Sequence, residues 1–113
     1  MINTHAIGIG GETLAEKYLK ENKYTILKRN YQTKIGEIDI IAKKENTIVF
    51  VEVKQRATLK YGYPREAVTP YKQNKIRQTA LCYLKQNKLI NSSVRFDCIE
   101  ILNDKITHIE NCF

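Results

Sequence analysis

Apolar residues near the start of the chain recur at three- and four-residue intervals. Ile7, Leu14, Ala15, Tyr18 and Leu19 fall within one broad stripe at about 100° per residue, which predicts a helix over residues 4–22. Gly8, Gly10 and Gly11 weaken its first turns, and Glu12 sits beside Ala15 and Leu19 at the edge of the stripe, an uncommon place for a charge. The period then shortens to two. Residues 24–31, 37–42 and 47–54 are rich in β-branched and aromatic side chains and read as strands, the last (TIVFVEVK) most strongly. Residues 55–70 carry Gly62, Pro64 and Pro70 without periodicity and read as a loop. A second helix is predicted over 71–87, with Ile76, Ala80, Tyr83 and Leu84 on one face and Pro70 suited to its start. Two short strands, 94–102 and 105–110, flank the hairpin signal Asn103-Asp104. The chain thus reads as one α/β domain over residues 1–113, in the order α-β-β-β-α-β-β.

The second and third strands carry the candidate chemistry. A two-residue loop at Glu45-Asn46 makes Lys44 face Thr47, which places Asp39 across from Glu52 and Glu37 across from Lys54. Alternation sends Glu52 and Lys54 to one face of the third strand and Val49, Val51 and Val53 to the other. A loop one residue longer would put the two acids on opposite faces, so the reading depends on register. Carboxylates this close repel unless a cation or a shared proton compensates. Two acids with a backbone carbonyl, for which Val53 is placed, suit Mg²⁺ or Mn²⁺, and Lys54 suits a group that orients or deprotonates an attacking water.

Charge sharpens this picture. The chain has 113 residues and a formal net charge of +7. Between Lys54 and Arg77, seven basic residues stand against the single acid Glu66, so nearly all the excess is local. Arg56, Lys60, Arg65, Lys72 and Lys75 interleave with Tyr61, Tyr63 and Tyr71, a mixture suited to phosphates and unpaired bases. Lys72 falls at a helix start, where a cation opposes the helix dipole and an anionic partner would relieve it. Asp97 reads as structural, paired with Arg95 or another cation, and Glu37 as structural rather than catalytic. His5 and His108 have no partner at ligand spacing and read as surface histidines. Cys82, Cys98 and Cys112 match no disulfide or zinc spacing, so reduced thiols of a cytoplasmic protein are expected. No apolar run reaches the length of a membrane span and no export signal opens the chain, so no membrane association is expected.

The runs Gly36-Glu37-Ile38-Asp39-Ile40-Ile41 and Val49-Phe50-Val51-Glu52-Val53-Lys54 resemble the D…ExK signature of the PD-(D/E)XK nuclease superfamily, with Ile38 where that signature has its nominal proline. Over nearly its whole length the chain is similar to the small bacterial YraN-like family. Gly11-Glu12, Ala15, Tyr18-Leu19, Arg29-Asn30, Gly62, Pro64, Ala67-Val68, Lys72 and Arg95-Phe96-Asp97 contribute to that likeness. The resemblance implies a restriction-endonuclease-like mixed β-sheet flanked by helices, with Asp39 and Glu52 as metal ligands and Lys54 as catalytic lysine. Glu12 matches the helix acid that resolvase-like members add to the same site. The implied activity is hydrolysis of DNA phosphodiesters, structure-selective or weakly sequence-specific. Junction resolution needs two cuts, which a homodimer would supply. The competing reading is a protein of the same fold that holds branched DNA or structured RNA without cutting it, and a basic adaptor for an acidic protein is a weaker third. DNA is expected over RNA, because the implied activity is that of DNA-cleaving enzymes.

Overall fold

The computed structural model describes residues 10–56 and 68–113. Helix α1 (Gly11–Glu21) leads into strands β1 (Thr25–Gln32), β2 (Glu37–Lys44) and β3 (Thr47–Arg56); helix α2 (Pro70–Gln86) precedes β4 (Ser93–Leu102) and β5 (Lys105–Ile109). The five strands form one mixed sheet in chain order, antiparallel except that β3 and β4 run parallel. That parallel pair needs a crossover, and α2 supplies it. The expected α/β class and element order are found as read, with boundaries shifted by one or two residues for most elements. The first six residues of the expected N-terminal helix, 4–9, lie outside the described ones, and Gly10 caps the helix rather than joining it.

Each helix buries one face of the sheet. Ala15 and Leu19 of α1 pack with Tyr24, Ile40, Ala42, Val49, Val51, Ile99 and Ile101, while Ile76, Ala80, Tyr83 and Leu84 of α2 pack with Tyr31, Ile38, Ile41, Ile48 and Phe50. Helix α2 starts as its sequence dictates: Thr69 Oγ1 accepts from the Lys72 amide at 3.2 Å, and Pro70 occupies the first helical position. Gly11 lies against the Gln55 side chain near the end of β3. The start of α1 is thereby held against the end of the strand that carries Glu52 and Lys54.

The β2–β3 turn has the expected register, Lys44 facing Thr47, and Glu45 takes the positive φ of 54° that such a turn requires. Pairing follows that register to Ile40↔Val51 and stops. On the other side of β2, Asn30 has a φ of 52°, and Tyr31 and Ile38 turn to the α2 face although Ile40 packs under α1. Strand β2 therefore breaks its alternation around Asp39. Glu37 does not reach Lys54 as expected; it pairs with Gln32 of β1 and accepts from its Nε2 at 3.0 Å.

Two sequence expectations are corrected. Cys98 and Cys112 form a disulfide, their Cα atoms 5.7 Å apart, leaving Cys82 as the free thiol. The β4–β5 hairpin puts Ile109 opposite Cys98, and the Cys112 amide then donates to the Phe96 carbonyl at 2.8 Å, so chain reversal brings together two cysteines whose spacing carries no motif. The His108 side chain is 7% exposed rather than on the surface, and its Nε2 lies 2.6 Å from Asp97 Oδ2. Asp97, fully buried, also accepts from Arg95 Nε at 2.9 Å, Arg95 Nη2 at 2.8 Å and the Asn111 amide at 3.1 Å. A carboxylate only accepts, so His108 Nε2–H donates to it and Nδ1 is left to accept from the Tyr18 hydroxyl at 3.1 Å. The structural role expected for Asp97 is carried by Arg95, with His108 as an unforeseen second partner.

Candidate functional site

The site lies where β2 and β3 part. Asp39, freed from the ladder, turns its carboxylate toward β3 and accepts the Val53 amide on Oδ2 at 2.8 Å. Glu52 emerges on the face covered by α2 and is 6% exposed. The two acids expected to converge do so, and their environments drive them apart. Burial, and then the adjacent Glu52, push the Asp39 carboxyl up to about 8, with Glu12 adding to the effect and the Val53 amide opposing it. Burial works against charge on Glu52 too, but the Asp39 proton, Lys72 and Lys54 outweigh it and hold Glu52 below the usual carboxylate range. The pair shares one proton, carried on Asp39, the arrangement two close carboxylates adopt without a cation between them.

Two lysines complete the cluster. Lys54 Nζ lies 3.5 Å from Glu52 Oε2, and Lys72 Nζ, reaching over from the first turn of α2, lies 2.5 Å from the same oxygen. Burial and the neighbouring Lys72 ammonium bring Lys54 below the ordinary lysine range despite Glu52. Lys72 moves the other way, because its contact with Glu52 outweighs its partial burial. The acid that relieves Lys72 from its unfavourable helix-start position is thus Glu52. Both ammonium groups converge on the one buried oxygen, Glu52 Oε2.

Glu12 approaches from α1, where Arg29 Nη2 lies 3.5 Å from its Oε1, and Arg29 also contacts Glu16 at 3.1 Å. Glu12 is near enough to Asp39 to act on it through its field. Val53 presents its amide to Asp39, a role distinct from the carbonyl ligation expected of it. Lys75 lies on α2 with its ammonium 5.4 Å from the Tyr71 ring centre, and that tyrosine is 73% exposed. Arg56 ends β3, and its side chain lies outside the described residues, as do Lys60, Tyr61, Tyr63 and Arg65. A surface groove of about 450 Å³, lined by Thr13, Glu16, Lys17, Lys20, Glu21 and Arg29, stands apart from the carboxylate pair.

Glu100 was not foreseen. In the parallel ladder it is the partner of Lys54, as Cys98 is of Glu52. Glu100 is 6% exposed, and its buried Oε2 has no hydrogen-bond partner. A glutamate inside the apolar run Cys98-Ile99-Glu100-Ile101-Leu102 was the available signal, but only the parallel pairing reveals its neighbour. Among the described residues no three His, Cys, Asp or Glu side chains gather closely enough to hold one ion. Asp39 and Glu52 are the two acids brought together, and burial with Glu52 beside it favours the protonated form of Asp39.

The model of Uncharacterised protein family UPF0102 matches residues 11–101, from the start of α1 to the penultimate residue of β4. The chain belongs to UPF0102. A UPF0102 protein of Clostridioides difficile is 47% identical over 99% of this chain and 100% of its own length. One of Acetivibrio thermocellus is 48% identical over 91% and 80%, and one of Persephonella marina 45% identical over 94% and 91%. The YraN-like resemblance read from the motifs is this UPF0102 membership. Among the described residues, no helix of this UPF0102 protein is long and apolar enough to cross a membrane.

Proposed function

We propose that this UPF0102 protein is a divalent-metal-dependent DNA endonuclease, selective for structure rather than sequence. One observation carries the reading: two buried carboxylates, Asp39 and Glu52, are pressed together at a strand divergence with a lysine whose proton is loosened beside them. A fold maintains such repulsion at a cost, and strongly displaced ionisations cluster at functional sites. The D…ExK likeness of the same residues supports the reading independently.

Asp39 and Glu52 would hold Mg²⁺ or Mn²⁺, with Glu12 and the Val53 carbonyl as further oxygen donors. Bound there, the ion would supply charge stabilisation for a phosphodiester and a more acidic water. The chain's own groups account for the rest. Lys54, with a proton easier to release than an ordinary lysine's, orients the attacking water and offsets the charge that builds on the phosphate in the transition state. Lys72 and Lys75 face the backbone of the nucleic acid, and the exposed Tyr71 ring offers a stacking surface for an unpaired base. Among the described residues no helix is displayed as a base reader, which suits recognition of shape.

The test is incubation of the protein with single-stranded, duplex, flap and four-way-junction DNA in Mg²⁺ or Mn²⁺. Cleavage is expected to vanish in Asp39→Ala and to fall by about 10²–10⁴ in Lys54→Ala with binding retained. Cleavage that survives in Asp39→Ala overturns the assignment. The Lys72–Glu52 ion pair and the lack of a three-ligand cluster among the described residues favour a second reading, a binder of branched DNA or structured RNA that does not cut. That protein would bind in a salt-sensitive way that metal leaves unchanged.

A further inference from the structure

Lys72 and a divalent ion need the same atom. Lys72 Nζ sits 2.5 Å from Glu52 Oε2, while Lys54 stands off from it at 3.5 Å. The Lys72 ammonium is the nearest cation to Glu52 Oε2 and is itself partly exposed, so a competing cation can reach the same oxygen. The Lys72 side chain is 39% exposed and enters from the solvent side of the first turn of α2, whose start is fixed separately by Thr69 and Pro70. It can therefore leave Glu52 without unmaking the helix.

Building on the phosphodiesterase reading, we infer that Lys72 guards Glu52 in the metal-free protein and, displaced by a divalent cation, becomes a ligand for the substrate's backbone phosphate. Charge gives the direction of the exchange. A divalent ion on Glu52 replaces Lys72 as its counter-charge and frees the ammonium for a backbone phosphate. No acid stands in the first turn of α2 to recapture the freed ammonium. Metal loading and phosphate capture are then coupled through one side chain, each favouring the other.

Mn²⁺ is titrated calorimetrically into the full chain without nucleic acid, for wild type, Lys72→Met and Lys85→Met. Lys72→Met is expected to bind Mn²⁺ about tenfold more tightly, because the occupied fraction of Glu52 no longer lowers the apparent affinity. Lys85→Met removes one charge from the last turn of the same helix and is expected to stay within about twofold of wild type. In a Lys54→Ala background, where cutting is slowed by about 10²–10⁴, Lys72→Met should bind a four-way-junction DNA about tenfold more weakly in Mn²⁺. Should Lys72→Met melt below wild type, Lys72→Gln repeats both measurements. Equal Mn²⁺ affinity in wild type and Lys72→Met, or unchanged DNA affinity, overturns the exchange and leaves the phosphodiesterase reading standing. Failure of all variants to bind Mn²⁺ overturns both.

Discussion

Two buried acids, Asp39 and Asp97, lie in the same sheet and have opposite fates. Asp97 gathers donors from Arg95, His108 and the Asn111 amide, and although burial opposes its charge, those bonds hold it below the usual carboxylate range. Asp39 has one donor, the Val53 amide, and faces another carboxylate; burial and Glu52 push it up to about 8. The first is a charge the fold has satisfied, joining β4, β5 and, through Tyr18, α1. The second is an acid whose charge the fold opposes, so that it holds its proton. Burial alone does not separate structural from functional acids, but the balance of donors and repulsion does.

The comparison predicts opposite responses to mutation. Asp97→Ala strands the Arg95 guanidinium and should destabilise the protein by about 3–5 kcal/mol in urea denaturation. His108→Phe removes one donor from Asp97 and the acceptor of the Tyr18 hydroxyl, and should cost about 1.5–3 kcal/mol. Asp39→Asn removes a repulsion and should cost little at pH 7; a loss comparable to that of Asp97→Ala would mean that Asp39 is structural after all.

Acidity separates the two sites with opposite signs. Asp97 binds its proton more weakly folded than unfolded, so the stability it contributes is present above its unfolded pKa and is lost as pH falls through the folded one. Asp39 binds its proton more tightly folded, so its contribution is complete below the unfolded carboxylate range and is lost as pH rises toward about 8. Metal-free protein should therefore lose stability between about pH 4 and about pH 8, and Asp39→Asn should remove that decline. An unchanged decline in the variant would place its origin elsewhere.

Much of this was legible in the chain. The turn at Glu45-Asn46 fixed the register of β2 against β3 as far as Ile40↔Val51, because hairpin register is a local property; Asp39 and Glu52 meet beyond it, where β2 has left the ladder and Asp39 takes the Val53 amide. The same rule applied to Asn103-Asp104 pairs His108 with Ile99, one step along the face from Asp97, so that contact also had a signal. The parallel pairing of β3 with β4 had none, since a crossover sets its register through the packing of α2 rather than through a turn. Glu100 beside Lys54 and Cys98 beside Glu52 were invisible for that reason. Lys72 was recognised as a site residue, but its partner was taken to be a phosphate; only the position of α2 over the sheet reveals Glu52 beneath it.

The central claim is that the proton shared by Asp39 and Glu52 occupies the seat of a divalent cation. Mn²⁺ titrated into the wild-type protein at pH 7, in two buffers of different ionisation heat, counts the protons that leave as the ion enters. The account predicts one bound ion and release of about one proton, since Asp39 is still protonated at that pH, and it predicts that Asp39→Asn abolishes or severely weakens binding. Binding without proton release, undiminished in Asp39→Asn, or no binding at all, would contradict it.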